Sequence, residues 1–257
     1  MNQRYIAVAF ATIIRKEVRR FTRIWVQTLI PPAITMSLYF LIFGSLIGSR
    51  IGQMGSVDYM RFVVPGLIMM SVINSAFANV ASSFFSAKFN KSIEELLVSP
   101  TPNIVILLGY VGGGALRGLC VGAIVTVLSL FFSDFSIHSV SITACVVVLS
   151  AMLFAVAGLI NGIFANSFDD ISVIPTFVLT PLTYLGGVFY SVDLLPDFWR
   201  ALSYANPILY LVNAFRYGML GISDVNVYAA LLGILGFLIA AFLYCLWLME
   251  KSRKLRN

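Results

Sequence analysis

Long apolar runs alternate with short polar ones along most of this chain. The runs cover about residues 25–47, 62–87, 103–132, 140–165, 171–190 and 227–249. Each reaches or exceeds the ~20 apolar residues a helix needs to cross a bilayer core. The pattern predicts an all-α integral membrane protein with six transmembrane helices. Ahead of the first run, FATIIRKEVRRFTRIW at 10–25 separates by helical period, with Arg15, Lys16, Arg19, Arg20 and Arg23 on one side. Phe10, Ile13, Ile14, Val18, Phe21, Ile24 and Trp25 fall on the other. This predicts an amphipathic interfacial helix, its apolar face in the membrane surface and its cations among anionic headgroups. Glu17 projects near the apolar edge, where an unpaired carboxylate is costly, so a partner is expected for it.

The fifth run is irregular: Pro175 and Pro181 interrupt it and Gly186-Gly187 follows. Residues 191–222 are then too apolar for an ordinary loop. Pro196 and Pro207 read as first-turn prolines, with Asn206 as a cap. Two short helices are predicted there, an extracytoplasmic re-entrant hairpin before the last span; such backbone is tolerated at membrane depth only against protein or a cavity. With no internal repeat or linker, residues 1–257 read as one transmembrane domain.

One polar interruption has a construction of its own. In KSIEELLVSPTP, which begins at Lys91, Ser92 and Glu95 have the spacing of a capping box. Glu94 and Glu95 suit the positive end of the helix dipole, and Pro100 and Pro102 stop the helix. Ile93, Leu96 and Leu97 share a face. At ~10 Å long this helix is marginal alone, so its apolar knob needs something to dock against. The chain's own base and a partner protein are both open as that surface.

Composition settles the solvent. Of 257 residues 60% are hydrophobic and 11% charged, under half the ~25% of soluble domains. Orientation follows from the cations. Arg4, Arg15, Lys16, Arg19, Arg20, Arg23, Lys88, Lys91, Lys251, Arg253, Lys254 and Arg256 lie on one side, and only Arg50, Arg61, Arg200 and Arg216 on the other. That bias puts both termini and the Lys91 peptide in the cytoplasm. Cys120, Cys145 and Cys245 lie inside apolar runs without metal or redox spacing, and a single histidine, His138, argues against a metal site. The first residues lack the apolar core and cleavage site of a signal peptide. The residues before Lys16, Lys88, Lys91, Lys251 and Lys254 are Arg, Ala, Asn, Glu and Arg, so no P-loop is present.

Candidate chemistry sits within the spans. Ser71, Asn74, Ser75, Asn79, Ser82 and Ser86 form a polar stripe on the second span, for helix packing or a wet substrate path. Arg117 lies ~20 Å along the third span, near mid-bilayer, and no acidic residue maps to that depth. Its expected partners are carbonyls, polar groups or an anionic substrate head. Gly114, Gly118 and Gly122 provide a close-packing face beside it. Asp169 and Asp170 open the fifth span as a helix cap.

Leu179, Leu182, Leu185, Gly186, Val188, Leu195-Pro196, Pro207-Ile208, Tyr210 and Arg216 give L-x2-L-x2-L-G-x-V-x6-L-P-x10-P-I-x-Y-x5-R. This resembles the signature of the type-2 ATP-binding cassette permeases. EELLVSP, YVGGG and FDDIS extend the likeness over nearly the whole chain, to a branch of bacterial inner-membrane permeases. The resemblance implies a six-span subunit of an ABC exporter that forms a homodimer and binds two copies of a separate ATPase. ATP and Mg then belong to that partner, with no cofactor in this chain and no nucleic-acid partner. The segment 93–99 becomes the coupling helix, with Ile93, Glu94, Glu95, Leu96 and Leu97 as its contacts. Arg15, Glu17, Arg19 and Arg20 are expected at the ATPase or headgroups, with Asp169 and Asp170 as further contacts. Lipids, drug-like amphiphiles and lipid-linked glycans are the implied substrates. An ion-coupled transporter or channel is the alternative, disfavoured because each Asp and Glu maps to a loop or terminus. A membrane enzyme lacks a nucleophile–base or metal constellation.

Overall fold

The structure is a computed structural model that describes residues 3–54, 57–134 and 137–251; Arg253, Lys254 and Arg256, counted above for orientation, lie outside them. α1 spans Gln3–Arg23, and α2 (Trp25–Thr28) and α3 (Ile30–Leu41) follow. A wide π-helical stretch, Ile42–Gly48, leads to α4 (Ser49–Ile51). A small antiparallel pair, β1 (Gln53–Met54) with β2 (Val57–Asp58), turns the chain into α5 (Tyr59–Phe89). α6 (Ser92–Val98), α7 (Asn103–Ser129) and α8 (Val140–Phe164) come next. α9 (Phe168–Ile174), a π turn at Pro175–Leu179 and α10 (Thr180–Tyr184) form one broken run. After a short 3-10 turn, α11 (Asp197–Tyr204), α12 (Pro207–Leu220) and α13 (Val227–Lys251) complete the chain.

α5 is the centre of the bundle, buried along most of its length and packed on α7, α8 and α12. Small residues make that closeness feasible. A Cβ on Gly118 of α7 would meet Ala76 at 2.9 Å and the Val72 carbonyl at 3.1 Å. The expected glycine face at Gly114, Gly118 and Gly122 is therefore the α5 contact. On the other side, Gly158 of α8 lies directly on the carbonyl of Phe77, where a methyl group has no room.

Among the described residues, five helical runs are long and apolar enough to cross a membrane: Trp25–Ile51, Tyr59–Phe89, Asn103–Ser129, Val140–Phe164 and Val227–Lys251. Six were expected. The expected span at 171–190 is the broken run, in pieces of 7, 5 and 5 residues. Proline is the cause: Pro175 and Pro181 cannot donate to the helical ladder. The Thr180 hydroxyl donates instead to the Pro175 carbonyl at 2.8 Å, across the widened turn.

Two local expectations change. No capping box forms at Ser92: Lys91, at φ 59°, turns the chain into α6, and Ser92 Oγ donates back to the Ala87 carbonyl at 3.2 Å. The tight reversal from α5 leaves the serine pointing at the helix it has just left. A capping box does form at Ser167, whose Oγ accepts from the Asp170 amide at 3.1 Å while Asp170 accepts from the Ser167 amide at 3.2 Å. Pro207 occupies the first turn of α12, with Asn206 capping Ile208 at 3.0 Å, but Pro196 precedes α11 as its N-cap, extended at ψ 150°.

Candidate functional site

α1 does not lie across the bundle. Tyr5 meets Thr101 through their hydroxyls at 3.4 Å, 96 residues apart in sequence. Ile13 rests on Gly109 and Glu17 on Gly113 at the same offset. A helix crossing another touches it at one place, whereas α1 follows α7 for several turns. Its buried residues, Ile13, Glu17 and Phe21, are therefore covered by protein, which corrects the expectation of a face turned to lipid for Ile13 and Phe21, while Phe10 and Trp25 stay exposed. Gly109 and Gly113 allow it, since a side chain at either would collide with α1.

Glu17 sits at the centre of these buried residues with 0% exposure. Its Oε1 accepts from Ser83 Oγ of α5 at 2.7 Å, and its Oε2 is 3.4 Å from Arg20 Nε. Lys16 Nζ, half exposed, lies 4.0 Å from Oε1 and donates to the Tyr110 hydroxyl at 3.2 Å. Arg20 Nη2 donates to both oxygens of Asn79, side chain and backbone, at 2.8 Å each. Arg117 Nη1 reaches the same Asn79 Oδ1 at 3.5 Å, and its Nη2 donates to the Thr28 carbonyl at 3.3 Å. Thr28 in turn donates to the Phe21 carbonyl at 2.9 Å, fastening α2 to the end of α1. Four elements thus meet in one polar cluster.

This placement alters two readings of the sequence. Arg117 does find a carbonyl and a polar side chain, as expected. It is not alone at its depth, because α1 carries Arg20 and Glu17 alongside α7. The polar stripe of α5 also divides. Asn79 is fully buried in the cluster, while Ser71, Asn74 and Ser75 line a recess of ≈ 260 Å³ with Pro31, Pro32, Thr35, Met36, Tyr39 and Met70. Ser82, half-buried, bonds its own helix at the Ala78 carbonyl, 2.7 Å away. The outer end of α3 meets the 184–189 turn through Tyr39 and Tyr184 hydroxyls at 3.5 Å and stacked Phe43 and Phe189 rings, 4.6 Å between centroids.

At the far end of α5, α6 is anchored by Ile93, which is 1% exposed and so unavailable to any partner. Leu96 and Leu97 are half-buried, Glu94 also, and Glu95 is exposed. Val98, not singled out from sequence, is 87% exposed at the end of α6. Arg15 and Arg19 are exposed on α1, and Asp170 serves the Ser167 cap while Asp169 stays exposed.

The signature residues have structural duties. Tyr210 donates to the Tyr204 carbonyl at 2.8 Å, closing the α11–α12 corner that Pro196 and Pro207 start. Arg216, counted above as a loop cation, is 1% exposed. It donates to the carbonyls of Gly187 at 2.5 Å and Phe62 at 3.3 Å and to Asn213 Oδ1 at 3.3 Å, lying 3.8 Å over the Phe62 ring. It ties α5, α12 and the 187 turn together.

A family model described as ABC-2 type transporter matches residues 8–220, from α1 through the end of α12. The chain belongs to the ABC-2 type transporter family. It is a membrane-embedded permease of that family rather than an enzyme. "Inner membrane transport permease YadH" of Escherichia coli (strain K12) is 60% identical over 250 residues, covering 97% of this chain and 98% of that relative. "Nodulation protein J" of Sinorhizobium fredii (strain NBRC 101917 / NGR234) is 26% identical, over 72% of this chain and 70% of its own length. "Nodulation protein J" of Rhizobium leguminosarum bv. trifolii is 25% identical, over 74% and 73%.

Sequence reasoning missed Thr28, Ser83, Lys16 and Tyr110 as members of the cluster. A signal for Ser83 was present: it follows Asn79 by four residues, on one helical face, and Glu17 lacked a partner. Nothing in the sequence showed that α1 and α7 run side by side.

Proposed function

We propose that this permease is the membrane subunit of an ABC exporter. It works as a homodimer in a bacterial inner membrane with both termini cytoplasmic, and is driven by two copies of a separate ATPase that holds ATP and Mg. The observation that carries the reading is α6. It is a short helix on the family's own segment, fixed to α5 by Ile93 and presenting Val98 at 87% exposure beside the exposed Glu95. A rigidly anchored helix with an apolar tip can pass a push from a docked ATPase directly into the central helix. Leu96, Leu97 and Glu94 flank the tip and complete the docking surface.

The broken run α9–α10, with the 185–190 turn, serves as the sixth crossing, and α11–α12 as the re-entrant hairpin. The polar recess at Ser71, Asn74 and Ser75 supports a path for an amphiphilic substrate, a lipid or drug-like molecule before a lipid-linked glycan. The relatives' printed names, a transport permease of the inner membrane among them, support the permease reading alone.

Glu17 favours the ion-coupled alternative, since it is a fully buried carboxylate, which such carriers use. Its cation, however, is Arg20, three residues along the same helix and unable to be exchanged during a cycle.

Pull-down in mild detergent separates these readings. The wild-type chain is expected to recover a P-loop ATPase, and Val98→Asp to lose it while keeping its own yield and thermal stability. Failure of the wild type to recover any ATPase, with transport that follows an imposed ion gradient, overturns the proposal.

A further inference from the structure

The charges in the α1–α5–α7 cluster do not balance. Lys16 and Arg20 pair with a single carboxylate, Glu17, while Arg117 meets only the neutral oxygens of Asn79 and Thr28. Lys16 is half exposed and screened by solvent, which leaves two guanidinium groups against one acid in the interior. Both guanidinium groups are aimed at the same neutral oxygen, Asn79 Oδ1. Among the described residues, Glu17 Oε2, Arg20 Nε, Asn79 Nδ2 and Arg117 Nε are buried without a hydrogen-bond partner. The first two face each other at 3.4 Å and compensate electrostatically. What remains is donors only: the Nδ2 of an asparagine with 0% exposure and the Nε of Arg117.

Buried donors in native proteins almost always have acceptors, and a surplus guanidinium calls for a negative one. Arginine beside an amide donor suits the oxygens of a phosphate group, by charge and by its planar fork. Arg117 as a whole is only partly buried, while its Nε and Asn79 Nδ2 are enclosed, so an anion reaches these donors only with a shift of the Arg117 side chain. On the outward side of α1, Arg15, Arg19 and Arg23 are exposed and attract anions toward it.

We propose that Asn79, Arg117 and Arg20 form a binding site for a phosphate-type oxyanion, reached along α1, with Glu17 fixing Arg20 in place. The site stands independently of ATPase coupling and requires only the folded chain. Its ligand is a phosphate ester of a lipid headgroup or free phosphate, and both present the same oxygens.

The test uses the purified full-length chain in neutral detergent, titrated with phosphatidylglycerol and with phosphatidylcholine of the same acyl chains, and read by native mass spectrometry. Wild type is expected to prefer phosphatidylglycerol by about tenfold, the scale of one charge-assisted contact in a desolvated site. Asn79→Asp puts a carboxylate between the two guanidinium groups and uses up the surplus. It is expected to raise the melting temperature while abolishing the preference. Arg117→Gln is expected to lose the preference too, and Arg50→Gln, a distant exposed cation, to retain it. Inorganic phosphate at millimolar concentration displacing the lipid identifies a free anion as ligand; no displacement identifies the headgroup. A preference that persists in Asn79→Asp, or that vanishes only in Arg19→Gln/Arg23→Gln, overturns the proposal. So does a fall in melting temperature for Asn79→Asp, because the surplus cation would then not exist.

Discussion

Glu17 shows how one buried charge fixes a helix. It faces α7 at Gly113, where no side chain intervenes, and draws one hydrogen bond from α5 and two ion pairs from its own helix, the closer with Arg20. Removing a member of such a pair leaves its partner buried and uncompensated, which costs about 3–5 kcal/mol. Glu17→Gln is therefore expected to destabilise the protein by that order. Ser83→Ala removes one bond to the carboxylate and is expected to cost about 1–3 kcal/mol. Melting temperatures of the two variants in detergent check the ranking. Equal values would mean that Glu17 acts mainly through its hydrogen bond to Ser83 and not through Arg20. In Glu17→Gln/Arg20→Gln the loss is expected to be less than the sum of the single losses, because neither member of the pair is then left without the other.

At the scale of elements, packing is governed by where glycine lets two backbones meet. Gly158→Ala places a methyl group on the Phe77 carbonyl, and that contact is backbone, so α5 and α8 must separate. Overpacking of this kind costs about 1–3 kcal/mol. Gly233→Ala on α13 meets nothing within 4 Å and removes a flexible residue from a helix interior, so it is expected to be neutral or stabilising by up to about 1 kcal/mol. Thermal unfolding of the two variants, opposite in sign, checks the reading. The long helices were legible in the sequence because hydropathy over ~20 residues depends on the solvent and hardly on neighbours. The glycine face at Gly114–Gly122 was legible for a similar reason, a fixed spacing on one helix. Ser92 and Glu95 failed because a capping box is a statement about entry direction, and the left-handed turn at Lys91 changes that direction. Glu17 was readable as a charge in need of a partner, but Ser83 and the Gly113 seat are long-range contacts that periodicity does not carry.

For the whole molecule the question is which surface faces lipid and which would meet the second copy of the proposed homodimer. The first span, Trp25–Ile51, is the least covered of the five, and beside it opens the recess of Ser71, Asn74 and Ser75. Ala78 is exposed on α5, a helix otherwise almost wholly buried. Polar groups at this depth are costly against hydrocarbon, so this face suits protein or a wet path better than lipid. α13 is also sparsely covered, yet its outward residues, Leu232, Phe237 and Leu243 among them, are apolar and suit lipid directly. A homodimer is therefore expected to pair through the α3 side and leave α13 outside. With Cys120, Cys145 and Cys245 replaced, Leu38→Cys on α3, 55% exposed, is expected to give a disulfide-linked dimer on oxidation in native membranes. Leu232→Cys on α13, 72% exposed, is expected to stay monomeric under the same oxidant. The reverse pattern would put α13 at the interface, and the recess on α5 would then have to be covered by lipid headgroups or water drawn into the bilayer.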